Sequence, residues 1–294
     1  MAKPSEAVNS EHARLVKFAS TAAVLVAVTL ILIKLVAWLL SGSVSLLASL
    51  LDSSMDSAAS FFNFIAIRYA LQPADEEHRF GHGKAESIAG LIQSAFIAGS
   101  AAFLWLHALD RLITPHPLQH TGWGIVVMCI SILFTFVLVL IQKYVVRKTH
   151  STAIEADATH YVSDLLVNAS VIAVLVLNQY LWEGADALLG ILIAFYIFYS
   201  AFKIAQRATH SLLDHELPSA QRQQIIDIVE AHPQVVGLHE LRTREAGHMQ
   251  FIQLHIDLDK NINLQQAHDI ADEVEAAVLK SFPQADVLIH PDPV

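Results

Sequence analysis

From Leu15 to Leu40 the chain is apolar for more than 20 residues, long enough to cross the hydrocarbon core of a bilayer as one helix. Such a segment decides the solvent of the fold, because lipid admits only helices or closed barrels with every backbone group paired. Five further segments read the same way, near Val44–Ala70, Glu86–Ile113, Thr121–Val146, Thr152–Gln179 and Ala185–Ser211. The second and fifth are interrupted by acids. Composition agrees with a membrane protein: 54% of residues are hydrophobic and 16% charged, where soluble domains carry about a quarter charged. The polar stretch MAKPSEAVNSEHARLVKF is too long for a secretory signal, and the apolar run after it is longer than a signal core.

Lysine and arginine set the expected orientation. Lys3, Arg14 and Lys17 precede the first span. Arg68, Arg79 and Lys84 lie between the second and third, and Lys143, Arg147 and Lys148 between the fourth and fifth. Lys203 and Arg207 close the sixth. The alternate loops hold little that is basic, Arg111 excepted. Both termini are therefore expected on the cytoplasmic side. The net charge of −10 speaks against nucleic-acid binding.

The composition changes after Asp214. Residues Ser219–Glu230 read as an amphipathic helix ended by His232-Pro233. Val235–Arg244 and Met249–Leu258 read as a hairpin. In its second strand Ile252, Leu254, Ile256 and Leu258 take one face, and Gln253, His255 and Asp257 the other. Leu264, Ala267, Ala271, Val274 and Val278 mark a second helix, and Asp286–His290 a last strand. The order αββαβ predicts a small α+β domain, helices on one face of a three-stranded sheet. The fold class is thus an all-α six-helix transmembrane bundle over residues 1–212, plus a small α+β cytoplasmic domain over 213–294. A domain of that size gains from dimerisation.

Sixteen histidines stand against one cysteine, Cys129, which is expected to pack inside its apolar run. A metal-handling chain of this kind must use imidazole and carboxylate. Asp52 and Asp56 lie four apart in the second span and share a helical face with Ser45, Ser49, Ser60 and Asn63. In the fifth, Asp157, His160, Asp164 and Asn168 form a similar stripe. Asp56 and Asp164 are each about 14 residues, or roughly 21 Å, from the cytoplasmic ends of their helices. The pairs Asp52/Asp56 and His160/Asp164 can therefore meet near mid-membrane. Ionised acids there are costly unless paired or ligated. Three carboxylates and an imidazole suit a tetrahedral Zn²⁺ or a similar ion. Ligands must shed protons to bind metal, which makes metal–proton exchange the simplest use of the site, with His160 as proton carrier. The bland alternative is a polar cluster that only joins helices.

LLDSSMD and DATHYVSD resemble the paired D-x-x-x-D and H-x-x-x-D motifs of the cation diffusion facilitator family. FGHGKAE and the terminal IHPDP resemble its bacterial ferrous-iron and zinc efflux subgroup, of YiiP type. The resemblance spans about residues 12–293. It implies efflux of Zn²⁺, Fe²⁺ or Cd²⁺ by proton antiport with alternating access, as a homodimer in the bacterial inner membrane. It also implies a ferredoxin-like cytoplasmic domain that binds metal as a structural or regulatory ion. Carried over by position, the transport site is Asp52, Asp56, His160 and Asp164. A second site in the loop PADEEHRFGHGK takes Asp75, His78 and His82. A binuclear cytoplasmic site takes His239, His255, His268, His290 and Asp292, with Asp292 as the bridge. Lys84 and Asp214 resemble a charge pair that ties the dimer together at the membrane surface. Pro291 departs from the pattern, which has Gln there, and Thr159 stands where relatives carry a larger apolar residue. His232 and His248 are expected to take no part.

Two rival readings remain at this stage. One is an intramembrane metal-dependent hydrolase, for which no H-E-x-x-H and no separate general base is found. The other is a membrane-anchored metal sensor, which would have no need of acids at mid-membrane.

Overall fold

A computed structural model describes residues 4–42, 44–113, 122–177 and 185–294. Lys3, the start of the fourth span at Thr121 and the end of the fifth at Gln179 lie outside the described residues. Six long helices come first: α1 (Pro4–Ser41), α2 (Val44–Ala70), α3 (Lys84–Ile113), α4 (Gly122–Thr149), α5 (Thr152–Leu177) and α6 (Ala185–Leu212). Then follow α7 (Ser219–Glu230), β1 (Gly237–Ala246), β2 (Met249–Leu258), α8 (Leu264–Ser281) and β3 (Ala285–Pro293).

Four of the six long helices, α1, α3, α4 and α6, are apolar enough by length and composition to cross a membrane. Among the described residues, four of the six expected spans thus meet that criterion, and α2 and α5 are the two whose acids already interrupt them in sequence. The acids of α2 and α5 dilute their hydropathy, and those helices pack among the others: α2 on α1 and α3, α5 on α4, α6 and α3. Small residues set the close approach of α3 and α6, where Ala101 and Ala201 pack with Ile97, Ile197 and Ile204. Large apolar side chains such as Leu25, Leu133, Leu140 and Phe195 remain exposed, as lipid contact requires. Cys129, expected inside, is exposed on α4.

A polar network joins α2, α4 and α5. Asp157 accepts from Gln142 Nε2 at 2.6 Å and from Ser60 Oγ at 3.1 Å. Ser60 Oγ lies 2.8 Å from the Tyr161 hydroxyl, and Asn63 Nδ2 donates to the Ala153 carbonyl at 3.1 Å. These bonds tie the three helices together, although Asn63 Oδ1 and Gln142 Oε1 are buried without a hydrogen-bond partner.

The C-terminal part has the expected order and a sheet ordered β1-β2-β3, antiparallel then parallel. The alternation of β2 places Ile252, Leu254, Ile256 and Leu258 in a core with Ile225 and Val229 of α7 and Ile270, Val274 and Val278 of α8. Asn263 caps α8 through a reciprocal pair with Gln266, its side chain accepting from the Gln266 amide while its own amide donates back. The β1–β2 hairpin turns at Gly247, whose φ of +61° suits a residue without Cβ. That turn rests on the membrane domain: a Cβ on Gly83 would fall 2.2 Å from the Ala246 carbonyl oxygen.

Candidate metal centres

The three sequence-predicted groups differ in how the chain assembles them. In the membrane part, α2 and α5 bring together Asp56, His160 and Asp164, with ligand atoms all within 4.8 Å of one another. His160 Nε2 lies 3.0 Å from Asp56 Oδ1 and 3.8 Å from Asp164 Oδ2. One imidazole nitrogen thus faces a carboxylate from its own helix, one turn away, and another from the neighbouring helix. Asp52 is not in that trio. It stands one turn from Asp56 and lines the same cavity, of about 650 Å³, with Asn168. Asp157, in the same sequence stripe, belongs instead to the network with Gln142 and Ser60. Thr159 turns its hydroxyl onto the Glu155 carbonyl at 2.8 Å.

The cavity also holds a residue that the sequence reading passed over. Lys34 of α1 reaches into it, its Nζ 2.5 Å from Ser53 Oγ and 3.3 Å from the Ser49 carbonyl. The signal was available: a lysine well inside an apolar helix is expensive and needs a partner.

The α2–α3 loop gathers Asp75, His78 and His82. Asp75 Oδ1 is 3.3 Å from His78 Nδ1, and Oδ2 is 3.3 Å from His82 Nε2. The loop folds this way because Asp75 Oδ1 also accepts the amides of His78 at 2.6 Å and Glu77 at 3.0 Å. The His78 amide, more than any other group, holds the Asp75 carboxyl below its ordinary range. His82 is buried, and its Nδ1 has no hydrogen-bond partner. Imidazoles and a carboxylate in that arrangement are a donor set for a divalent transition ion.

On the C-terminal domain, sheet register does the assembly. His239 pairs across β1–β2 with His255, and His255 pairs across β2–β3 with His290, so three imidazoles form one row. The adjacent row brings up Asp292. Its Oδ2 lies 2.7 Å from His255 Nδ1 and 3.4 Å from His239 Nε2, while Oδ1 lies 3.2 Å from His290 Nδ1. The His255 contact is the largest cause of the lowered Asp292 pKa. Each carboxylate oxygen thus addresses a different histidine set, the arrangement a bridging ligand needs. His268 is not brought to this cluster. It sits on α8 with Nε2 3.6 Å from Asp272 Oδ2. A residue missed in the sequence takes a place here, Asp257, with Oδ1 3.3 Å from His239 Nδ1. Gly237, opposite it, has no Cβ where one would meet Asp257 Oδ2 at 2.6 Å.

Lys84 and Asp214 form an ion pair at 2.9 Å within one chain, and Arg244 of β1 joins it at 3.3 Å. Burial is the largest single influence on the Asp214 carboxyl and raises its pKa, but the hydrogen bonds and charges of Lys84 and Arg244 together outweigh it and leave the carboxyl below its ordinary range. Arg244 also lies over the rings of Phe80 and Phe251, 5.0 and 4.5 Å from their centroids. His248, set aside in the sequence, stacks on His12 of α1 with ring centroids 4.8 Å apart.

Comparison with known proteins gives consistent matches along the chain. Residues 20–213 match the family model of the cation efflux transmembrane domain, and residues 217–294 that of the cation efflux protein cytoplasmic domain. The cation-efflux pump FieF of Klebsiella pneumoniae subsp. pneumoniae is 51% identical over 285 residues, covering 97% of this chain and 95% of that protein. The FieF pumps of Salmonella agona and Citrobacter koseri give the same identity and coverage. Among solved structures, CzrB in its Zn form is 28% identical with a TM-score of 0.26, covering 27% of this chain and 92% of that one. The MamM CTD is 26% identical with a TM-score of 0.25, covering 26% and 96%.

Proposed function

The chain belongs to the cation efflux, or cation diffusion facilitator, family, and on that premise we propose that it exchanges a divalent transition metal for protons across the bacterial inner membrane. Efflux of divalent metal cations by a multi-pass membrane protein is the coarser statement, and it follows from the membership itself. The hydrolase and sensor readings find no support among these relatives. The finer reading names Zn²⁺ or Fe²⁺, with Cd²⁺ also accepted, as the ion exported.

The observation that carries it is the placement of His160 between Asp56 and Asp164 inside a cavity of the helical domain. Donors from two separate helices change their mutual distance when the helices rock, and a metal held between them is released when they part. In the inward-facing state the ion enters between α2 and α5 and displaces protons from His160 and a carboxylate. Rocking exposes the site to the other side, where protons displace the ion. Asp52 supplies the fourth ligand as the cavity closes around its cargo. Residues 1–212 form the transport domain, α2 and α5 cross the membrane with the four apolar helices, and both termini are cytoplasmic.

Residues 213–294 form the dimerisation domain. Asp292 bridges ions held by His239, His255 and His290, and the occupied row stiffens the sheet. His268 joins on a change of position of α8 or from the second protomer. Asp75, His78 and His82 hold a further ion at the membrane surface, a reading supported by His78 Nδ1 and His82 Nε2 both lying 3.3 Å from the Asp75 carboxylate. The test is Zn²⁺ flux into proteoliposomes with a pH-sensitive dye inside and Fe²⁺ and Cd²⁺ as competitors. Metal entry without proton exit would remove the antiport reading.

A further inference from the structure

Lys34 stands about ten ångströms short of the far end of α1, by the helical rise over the residues to Ser41. A lysine at that depth ordinarily runs its stem along the helix and lifts its ammonium to the interface. This one does not. Its Nζ turns sideways to α2, donating to Ser53 Oγ at 2.5 Å and to the Ser49 carbonyl at 3.3 Å. Ser53 follows Asp52 directly in the chain. Lys34 thereby lines the same cavity as Asp52, Asp56, His160 and Asp164.

The charges of that cavity then take a particular sum. Among the described residues lining it are three carboxylates, one ammonium and two imidazoles, His107 and His160. With the carboxylates ionised and the imidazoles neutral, two negative charges remain, the amount one divalent cation neutralises. Without the ammonium, the same metal would leave a net negative charge inside the bilayer, where uncompensated charge is costly.

We infer that Lys34 is a tethered counter-cation of the transport site, which trims its charge to that of one divalent ion and weakens metal binding enough for release. It is a positioning residue: it touches α2 beside Asp52 and acts on the metal through space. The inference rests on the transport reading above and adds a residue to it. Two consequences separate it from a plain tether between α1 and α2. The ammonium repels the incoming dication, so its removal tightens binding. It also balances the loaded site, so its removal makes the crossing form charged and the flux sensitive to membrane potential.

The experiment uses full-length protein in proteoliposomes, with Zn²⁺ as the probe and the potential set by potassium and valinomycin. Wild type, Lys34→Met, Lys34→Gln and Lys34→Arg are compared. Wild type and Lys34→Arg should carry Zn²⁺ independently of the potential. Lys34→Met and Lys34→Gln should show a KM roughly tenfold lower, as loss of a nearby like charge requires, a reduced maximal rate, and flux that changes severalfold with potential. Should either neutral variant fold but not transport, its Zn²⁺ affinity in detergent, with His78, His82 and Asp292 replaced by Ala, reads the same tightening. An unchanged KM or affinity with no response to potential overturns the inference, whatever happens to the rate; so does wild-type flux that follows the potential. If wild type carries no Zn²⁺ at all, it is the transport reading that fails.

Discussion

The mid-membrane trio and the cytoplasmic row use the same donors, imidazole and carboxylate, on opposite kinds of scaffold. In the membrane, Asp56 comes from α2 while His160 and Asp164 come from α5, and only side chains span the gap. On the cytoplasmic domain, His239, His255 and His290 sit on three strands locked by register, with Asp292 one row away. The first site can open when two helices separate. The second cannot open without breaking a sheet whose reverse face is the domain's core. Scaffold therefore decides role: a helix pair suits a site that must give up its ion, and a sheet row suits one that keeps it.

The largest break of that comparison comes from the helix pair. Asp56→Ala should lower Zn²⁺ flux by at least about 100-fold, since loss of even an outer-sphere group around a metal costs 10–100-fold. Vesicle flux assays read this, and the dimer should survive, as sedimentation would show. Asp292→Ala should do the reverse. Tight metal binding to the cytoplasmic domain should be lost, as equilibrium dialysis measures, while flux falls by less than about tenfold. Equal flux losses in the two variants would erase the division of labour.

The sheet's rigidity can be tested from behind. Ile256 is fully buried on the face opposite His255. Ile256→Ala should destabilise the cytoplasmic domain by about 2–5 kcal/mol, read by denaturant-dependent hydrogen exchange across β2. Metal affinity of the row should fall with it. A stable but weakly binding variant would show that the row depends on fine register more than on the core.

A smaller effect is expected where the two parts meet. Asp214 has a lowered carboxyl pKa because Lys84 and Arg244 face it. For a depressed acid, the linked stability is present above its ordinary pKa near 4 and is lost as pH falls through the lower folded value. The pair is largely exposed, so its worth is under about 1 kcal/mol. Amide exchange at the β1–β2 hairpin should rise on acidification in the wild type, and Asp214→Asn should show raised exchange already at neutral pH. Exchange that is identical in both would dissociate the ion pair from hairpin docking.

Much of this was legible in the chain, and the parts that were not share a cause. Local periodicity gave the polar stripe of α2, the alternation of β2 and the order αββαβ. Counting residues from the helix ends put Asp56 and Asp164 at a similar depth, and both face His160 Nε2, at 3.0 and 3.8 Å. Periodicity says nothing about which member of a stripe faces the cavity. Asp157 and Asp164 share a face in sequence, yet Gln142 and Ser60 claim the former. Asp52 was expected among the ligands and stands one turn away from the trio. His268, expected in the row, is on a helix whose register to the sheet no strand pattern encodes. Asp257 beside His239 became visible only with the β1–β2 register. The contact of His12 with His248 joins the first helix to the last domain, which no local pattern could announce. Lys34 was legible in principle, as a charge in lipid, and was masked by the strength of the apolar run around it.

The central claim is that metal and protons compete for His160 and the carboxylates of one mid-membrane site. The most direct measurement follows Zn²⁺ and internal pH together in proteoliposomes, comparing wild type with Asp56→Ala. The account predicts Zn²⁺ entry matched by proton exit in the wild type and neither movement in the variant. Zn²⁺ flux that leaves internal pH unchanged, or that persists in Asp56→Ala, would contradict it.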